Sequence, residues 1–201
     1  MDDLVTTEFD AARSEINLRT QLGVTIIGLD LGALGSGLSL VSKTPNIVVG
    51  LAAVSAYLWS LWLDQASQVW KLAAYISLRL QPRAGPGMLE WEAFLRALDE
   101  GGSIAQRLVF QNGTKVFPEI PRLRTRNIGF YISMLLGGTP VVLVVSYFVS
   151  KPHVGATIWI ALGLAAVVWL NSLRFYQDFR TLAGTLDGAI RARLASSEKE
   201  A

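Results

Sequence analysis

The sequence predicts an all-α membrane protein made of two transmembrane helical hairpins, four spans in all, with cytoplasmic helix extensions. Three observations carry that prediction. Residues 22–41, 47–63, 127–150 and 154–170 are apolar and almost free of charge. Short polar turns join the first pair of these stretches and the second pair. Of the eighteen lysines and arginines, only Lys43 and Lys151 lie in those turns. The chain is 51% hydrophobic and 17% charged, with mean hydropathy +0.39. A soluble domain of this size rarely has enough surrounding structure to cover four fully buried helices, and lipid removes that need.

Taken in order, residues 7–20 read as a polar helix leading into the membrane. Asp2, Asp3, Glu8, Asp10 and Glu15 precede any apolar run, the reverse of a cleavable signal peptide, so the first span is expected to act as its own insertion signal. Residues 22–41 are long enough, at about 1.5 Å per residue, to cross about 30 Å of hydrocarbon. Residues 42–46 form the first turn, and 47–63 return at the short end of the spanning range. Trp59 and Trp62 fall near the end of that span, where amphipathic rings favour the headgroup level.

No helix breaker follows Leu63, so helix is expected to continue to about Leu80 and to stop before Gln81-Pro82. Together with the first hairpin this makes one segment, 1–80. A cytoplasmic linker segment, 81–126, follows, opening with Pro82, Gly85, Pro86 and Gly87. It holds a short amphipathic helix near 88–100 and an ambiguous stretch, 103–126, in which a small hairpin around Gln111-Asn112-Gly113-Thr114 fits the turn residues. The third segment, 127–201, contains the spans 127–150 and 154–170 and a C-terminal cytoplasmic helix. That helix is expected to run to Arg180, with a second piece after Gly184 and fraying from Ser196.

The basic residues orient the chain. Arg13, Arg19, Lys71, Arg122, Arg124, Arg126, Arg174 and Arg180 all lie in the N-terminal, central and C-terminal segments. The positive-inside rule places these segments in the cytoplasm and the two turns outside, which requires an even number of spans. Trp62-Leu63-Asp64 and Trp169-Leu170-Asn171 at the ends of spans two and four make a weak repeat, read equally well as a duplicated hairpin or as two helices meeting the same interface.

Several classes of chemistry lack their residues. There is no cysteine, so disulfide, thiol and Cys-based metal chemistry is excluded. The single histidine, His153, sits in a turn without a neighbouring carboxylate, and no H-E-x-x-H, G-x-S-x-G or phosphate-loop pattern occurs. A net charge of +2 does not suggest nucleic-acid binding. No catalytic residue, cofactor or metal is expected.

Inside the spans, Asp30 stands out. An aspartate near the centre of a span costs about 2.5–3.5 kcal/mol on insertion, so it should face protein or water. Counting equal depths from each span end sets Ser55 and the Gly137-Gly138-Thr139-Pro140 run beside it. Pro140 has no N–H and crowds the carbonyl of Leu136, which predicts a kink and a carbonyl free for another partner. Two readings follow: Asp30 lines a path for protons or cations, or it is bonded to Ser55 or Thr139 and fixes helix packing. Gly28, Gly32 and Ser36 share a helix face on which a second helix could approach closely, within one chain or between copies. Trp70, Trp91 and the Arg122, Arg124 and Arg126 cluster fit contact with anionic lipid headgroups or a docking surface for a cytoplasmic protein partner.

The run Leu61-Trp62-Leu63-Asp64-Gln65-Ala66-Ser67-Gln68-Val69-Trp70-Lys71-Leu72, then Pro82 and Glu90-Trp91-Glu92, resembles small uncharacterised multi-span inner-membrane proteins of actinobacteria and other bacteria. The resemblance covers residues 8–98. It implies a bacterial inner-membrane setting and brings no catalytic residue with it. A looser likeness links compact multi-span proteins with cytoplasmic helices to the membrane effectors of bacterial defence systems. The expected function is an oligomeric membrane protein, a homo-oligomer in contact with membrane lipids, that forms or regulates an ion-permeable pathway. Asp30 would be its carboxylate, Pro140 its kink and Gly28/Gly32 its close-packing face. The alternative is a non-conducting scaffold or adaptor that recruits a partner through residues 64–126.

Overall fold

The structure, a computed structural model, describes residues 3–41, 43–84, 128–150 and 155–200. Every regular element among them is helical, and none of the described residues forms a strand. Helix α1 is Asp3–Leu40 and α2 is Ile47–Tyr75. A π-helical turn, Ile76–Leu80, and a short helix α3, Gln81–Ala84, extend α2. Helix α4 is Ile128–Ser150 and α5 is Ala156–Glu200. Four helices are long and apolar enough to cross a membrane, which fits a multi-pass membrane protein. The amphipathic helix near 88–100, the hairpin near 108–117 and the turn at 151–153 lie outside the described residues.

Two helix ends depart from expectation. Helix does not stop before Gln81-Pro82. The N–H of Gln81 bonds back to the Ile76 carbonyl, five residues away. This wider π turn comes just before the proline, and Pro82 then falls in the first turn of α3, where a missing N–H costs nothing. Helix α5 also continues unbroken through Gly184 and Gly188 to Glu200. A glycine in a helix costs only about 1 kcal/mol relative to alanine, and the neighbouring Leu, Ala and Arg residues are good helix formers.

The turn between α1 and α2 satisfies its own backbone. Lys43 and Thr44 N–H groups donate to the Leu40 carbonyl at 3.0 and 2.9 Å, and the Thr44 carbonyl accepts from Ile47 at 3.0 Å. At the start of α5 the Gly155 carbonyl accepts from Ile158 and Trp159. Both ends are thus closed without side-chain help, as a lipid setting demands.

The chain divides into two units that cut across its helices. One gathers Met1–Ile16, Trp70–Phe130 and Gly184–Ala201, the other Asn17–Val69 and Tyr131–Ala183. Helices of 38 and 45 residues exceed one membrane crossing and contribute to both units.

In the first unit Phe9, Ala12 and Ile16, on one face of α1, pack against Leu72, Ile76 and Leu80. Around this seam the Tyr75 hydroxyl donates to Glu8 Oε2 at 3.3 Å, and Arg83 lies 4.0 Å from the same oxygen. The two polar extensions are therefore paired with each other.

In the second unit α2 is the central helix and the most buried of the four. Gly23 and Gly37 of α1 meet Trp62 and Leu51 of α2, so these helices run antiparallel. Asn46, just before α2, and Trp59 of α2 meet Tyr147 and Ser133 of α4, again antiparallel. Ala56 and Trp59 of α2 meet Ser172 and Tyr176 of α5, which runs parallel to α2. Large apolar side chains point outwards all round: Leu29 and Leu31 on α1, Val142 and Val145 on α4, Ile160 and Val167 on α5. Exposed apolar surface of this extent suits hydrocarbon as solvent.

Candidate functional site

Trp59 organises the second unit. It is 1% exposed, its Nε1 donates to Ser133 Oγ at 3.0 Å, and its ring lies 6.5 Å from Trp169 and 5.9 Å from Tyr176. The space for the indole comes from Gly137, where an added β-carbon would sit 2.8 Å from the ring atoms. The Trp169 Nε1 in turn donates to the Gly137 carbonyl at 2.8 Å. Ser172 shares its hydroxyl proton between its own helix, at Val168 O, and the Ala56 carbonyl of α2 at 3.1 Å. Aromatic N–H groups and serines thus join α2, α4 and α5 where no water is at hand.

These contacts fix the register of the three helices. They set Ala56 of α2 level with Ser172 of α5, and Trp59 level with Ser133 and Gly137 of α4. Thr139 does not serve as a partner for Asp30: its hydroxyl donates to Leu135 O in its own helix at 2.7 Å. The carbonyl bonded from a neighbouring helix beside Pro140 is that of Gly137, one residue beyond Leu136. Pro140 itself is buried and lines an apolar groove of about 400 Å³ with Val144, Phe148, Trp159, Leu162 and Trp169.

Asp30 is 2% exposed, on the buried seam of α1 that also carries Gly23, Ile26 and Gly37. Ser55 of α2, fully buried, is the hydroxyl-bearing side chain beside it. Neither Asp30 Oδ1 nor Ser55 Oγ reaches a hydrogen bond of standard geometry. A carboxyl group and a hydroxyl are therefore enclosed together with bonding capacity left over. Ile26, Leu58, Trp62 and Leu63 form a buried apolar cluster on the same two helices. Further along α1 and α2 is a polar group in which Arg19 donates to Gln65 Oε1 at 3.1 Å, and Gln65 and Gln68 donate to the Asp64 carboxylate.

Of the remaining sequence-predicted positions, Gly28 and Gly32 are exposed, with nothing within 4 Å of an added β-carbon, and Ser36 is exposed with its hydroxyl bonded to Gly32 O of its own helix. Trp70 is half-buried. Trp91, Arg122, Arg124 and Arg126 lie outside the described residues. No group of three or more His, Asp or Glu able to hold a metal occurs among the described residues. Ser133, Ser172 and the Trp59–Gly137 contact escaped the sequence reading. Small polar residues in apolar runs were the available signal, since a serine buried in a span must find a partner.

Comparison with family models, with curated proteins and with solved structures returns no match for this chain. Its class rests on its own features, an all-α chain with four apolar helices of spanning length.

Proposed function

We propose that the protein acts as an oligomer in a bacterial inner membrane, where it forms or regulates an ion-permeable pathway centred on Asp30. The observation that carries this reading is the enclosed pair of Asp30 and Ser55, each with an unmet hydrogen-bonding atom. An aspartate in a span costs about 2.5–3.5 kcal/mol, and a packing residue would recover part of that through a full set of hydrogen bonds. Asp30 does not do so, which suits a group that exchanges a bound ion. The outward Gly28, Gly32 and Ser36 face supports association between copies, because small residues let helices approach closely in lipid. In this reading both termini and residues 64–126 are cytoplasmic, and the paired polar extensions of α1 and α2 control assembly or opening.

Flux through liposomes carrying the full chain tests the proposal. The wild-type chain should pass ions faster than protein-free liposomes do, and Asp30→Asn should remove that flux or change its ion preference. Wild-type flux no faster than the background, or flux unaltered by the substitution, would favour the non-conducting scaffold instead.

A further inference from the structure

We infer that the ion taken up at Asp30 is a proton and not a metal cation; the inference rests on the pathway reading above. It follows from the donor set. A divalent cation held in protein needs an octahedral or larger shell of oxygens, and potassium filters replace a hydration shell with rings of free backbone carbonyls. Among the described residues, the side-chain oxygen set beside the Asp30 carboxyl is Ser55 Oγ. Helices α1 and α2 are continuous α-helices here, so they present no ring of carbonyls freed from the helical ladder. In α4 the Gly137 carbonyl accepts from Trp169. The Ala56 carbonyl, next to Ser55, accepts from Ser172.

A proton needs much less. One carboxyl oxygen binds it and becomes a neutral O–H, which removes the buried charge, and the other oxygen remains as acceptor. The Ser55 hydroxyl, able to donate and accept, suits either form of the carboxyl without a coordination shell. Nor does any charged side chain neutralise the carboxylate. On α1 the next charged residues are Arg19, engaged with Gln65, and Lys43 beyond the far end of the helix. On α2 the next is Asp64, bonded by Gln65 and Gln68. Helix α4 has none, and on α5 Arg174 and Asp178 are exposed. Among the described residues, the small donor set and the missing counter-charge both suit a proton.

The test uses the full chain in liposomes loaded with a pH-sensitive dye, under an imposed membrane potential. External sodium, potassium or impermeant choline is supplied in turn. The expected result is acidification that proceeds equally in all three media, is lost in Asp30→Asn, is retained in Asp30→Glu and is slowed in Ser55→Ala. Alkali-cation flux that depends on Asp30 without an Asp30-dependent pH change would overturn the proton assignment and leave the pathway reading standing. Absence of any flux dependent on Asp30, with Asp30→Asn eluting from detergent as the wild type does, would overturn both. If Asp30→Asn does not elute normally, Ser55→Ala decides: slowed acidification supports the assignment and an unchanged rate refutes it.

Discussion

The six-membered edge of the Trp59 indole occupies the space that a β-carbon on residue 137 would need, coming within 2.8 Å of where that carbon would stand. Helices α2 and α4 therefore approach at a glycine, and the same glycine presents its carbonyl to Trp169 of α5. The ring is held by Ser133, Trp169 and Tyr176 and has little room to move aside. Gly137→Ala should destabilise the bundle by about 1–3 kcal/mol, the usual cost of overpacking a rigid site. Gly28→Ala and Gly32→Ala meet open space and should leave one chain as stable as before or stabilise it by up to about 1 kcal/mol. Unfolding by sodium dodecyl sulfate in mixed micelles, followed by tryptophan fluorescence, separates these outcomes.

The Trp59–Ser133 bond makes a second, smaller contribution. Without a hydrophobic force between helices in lipid, packing and hydrogen bonds decide association, and an interhelical bond is worth about 0.6 kcal/mol on average and about 1.7 at most. Ser133→Ala should fall in that range, and less than Gly137→Ala. A double-mutant cycle with Trp59→Phe, which keeps the ring and removes the N–H, should return a coupling of the same size in the same unfolding assay.

The four spans were legible because lipid imposes a simple rule: long, uncharged and helical. Asp30 was legible for the same reason, as a charge where hydrocarbon penalises one. Its neighbour Ser55 could be named because α1 and α2 are joined by a short turn, which fixes their relative depth. The partner of the Thr139 hydroxyl was not legible, because a hydroxyl in a helix can turn back to the carbonyl four residues earlier, as this one does to Leu135 O. The register of α4 and α5 on α2 comes from one glycine facing one tryptophan, Gly137 and Trp59, and from Ser172 reaching the Ala56 carbonyl. Helix ends at Pro82 and Gly184 were misread for a different reason. Local propensity costs of about 1–3 kcal/mol are small beside the packing of a long helix, and a π turn can absorb a missing N–H.

The energetic position of Asp30 can be measured without any transport. On insertion scales aspartate at a span centre costs about 2.5–3.5 kcal/mol, whereas leucine contributes about −0.3 to −0.6. Residues 22–41 carrying Asp30→Leu should therefore insert into microsomal membranes with a markedly higher inserted fraction than the wild-type segment. Asp30→Asn should fall between them. Equal insertion of all three segments would show that Asp30 does not reach the hydrocarbon.

Orientation offers the sharpest check on the whole arrangement, and the sequence makes it simple. The chain has no cysteine, so single cysteines can be introduced into an otherwise unreactive background. Lys43 lies in the turn between α1 and α2 and is exposed, as are Arg83 at the end of α3 and Arg174 on α5. A charged maleimide cannot cross hydrocarbon, so it reports which side each thiol faces. Added to intact spheroplasts, it should modify Lys43→Cys and leave Arg83→Cys and Arg174→Cys unmodified until the membrane is permeabilised. The excess of arginine and lysine flanking the spans on one side requires that result. The reverse pattern would invert the chain, placing the paired Glu8–Tyr75–Arg83 extensions outside the cell and removing any cytoplasmic control of the Asp30 site.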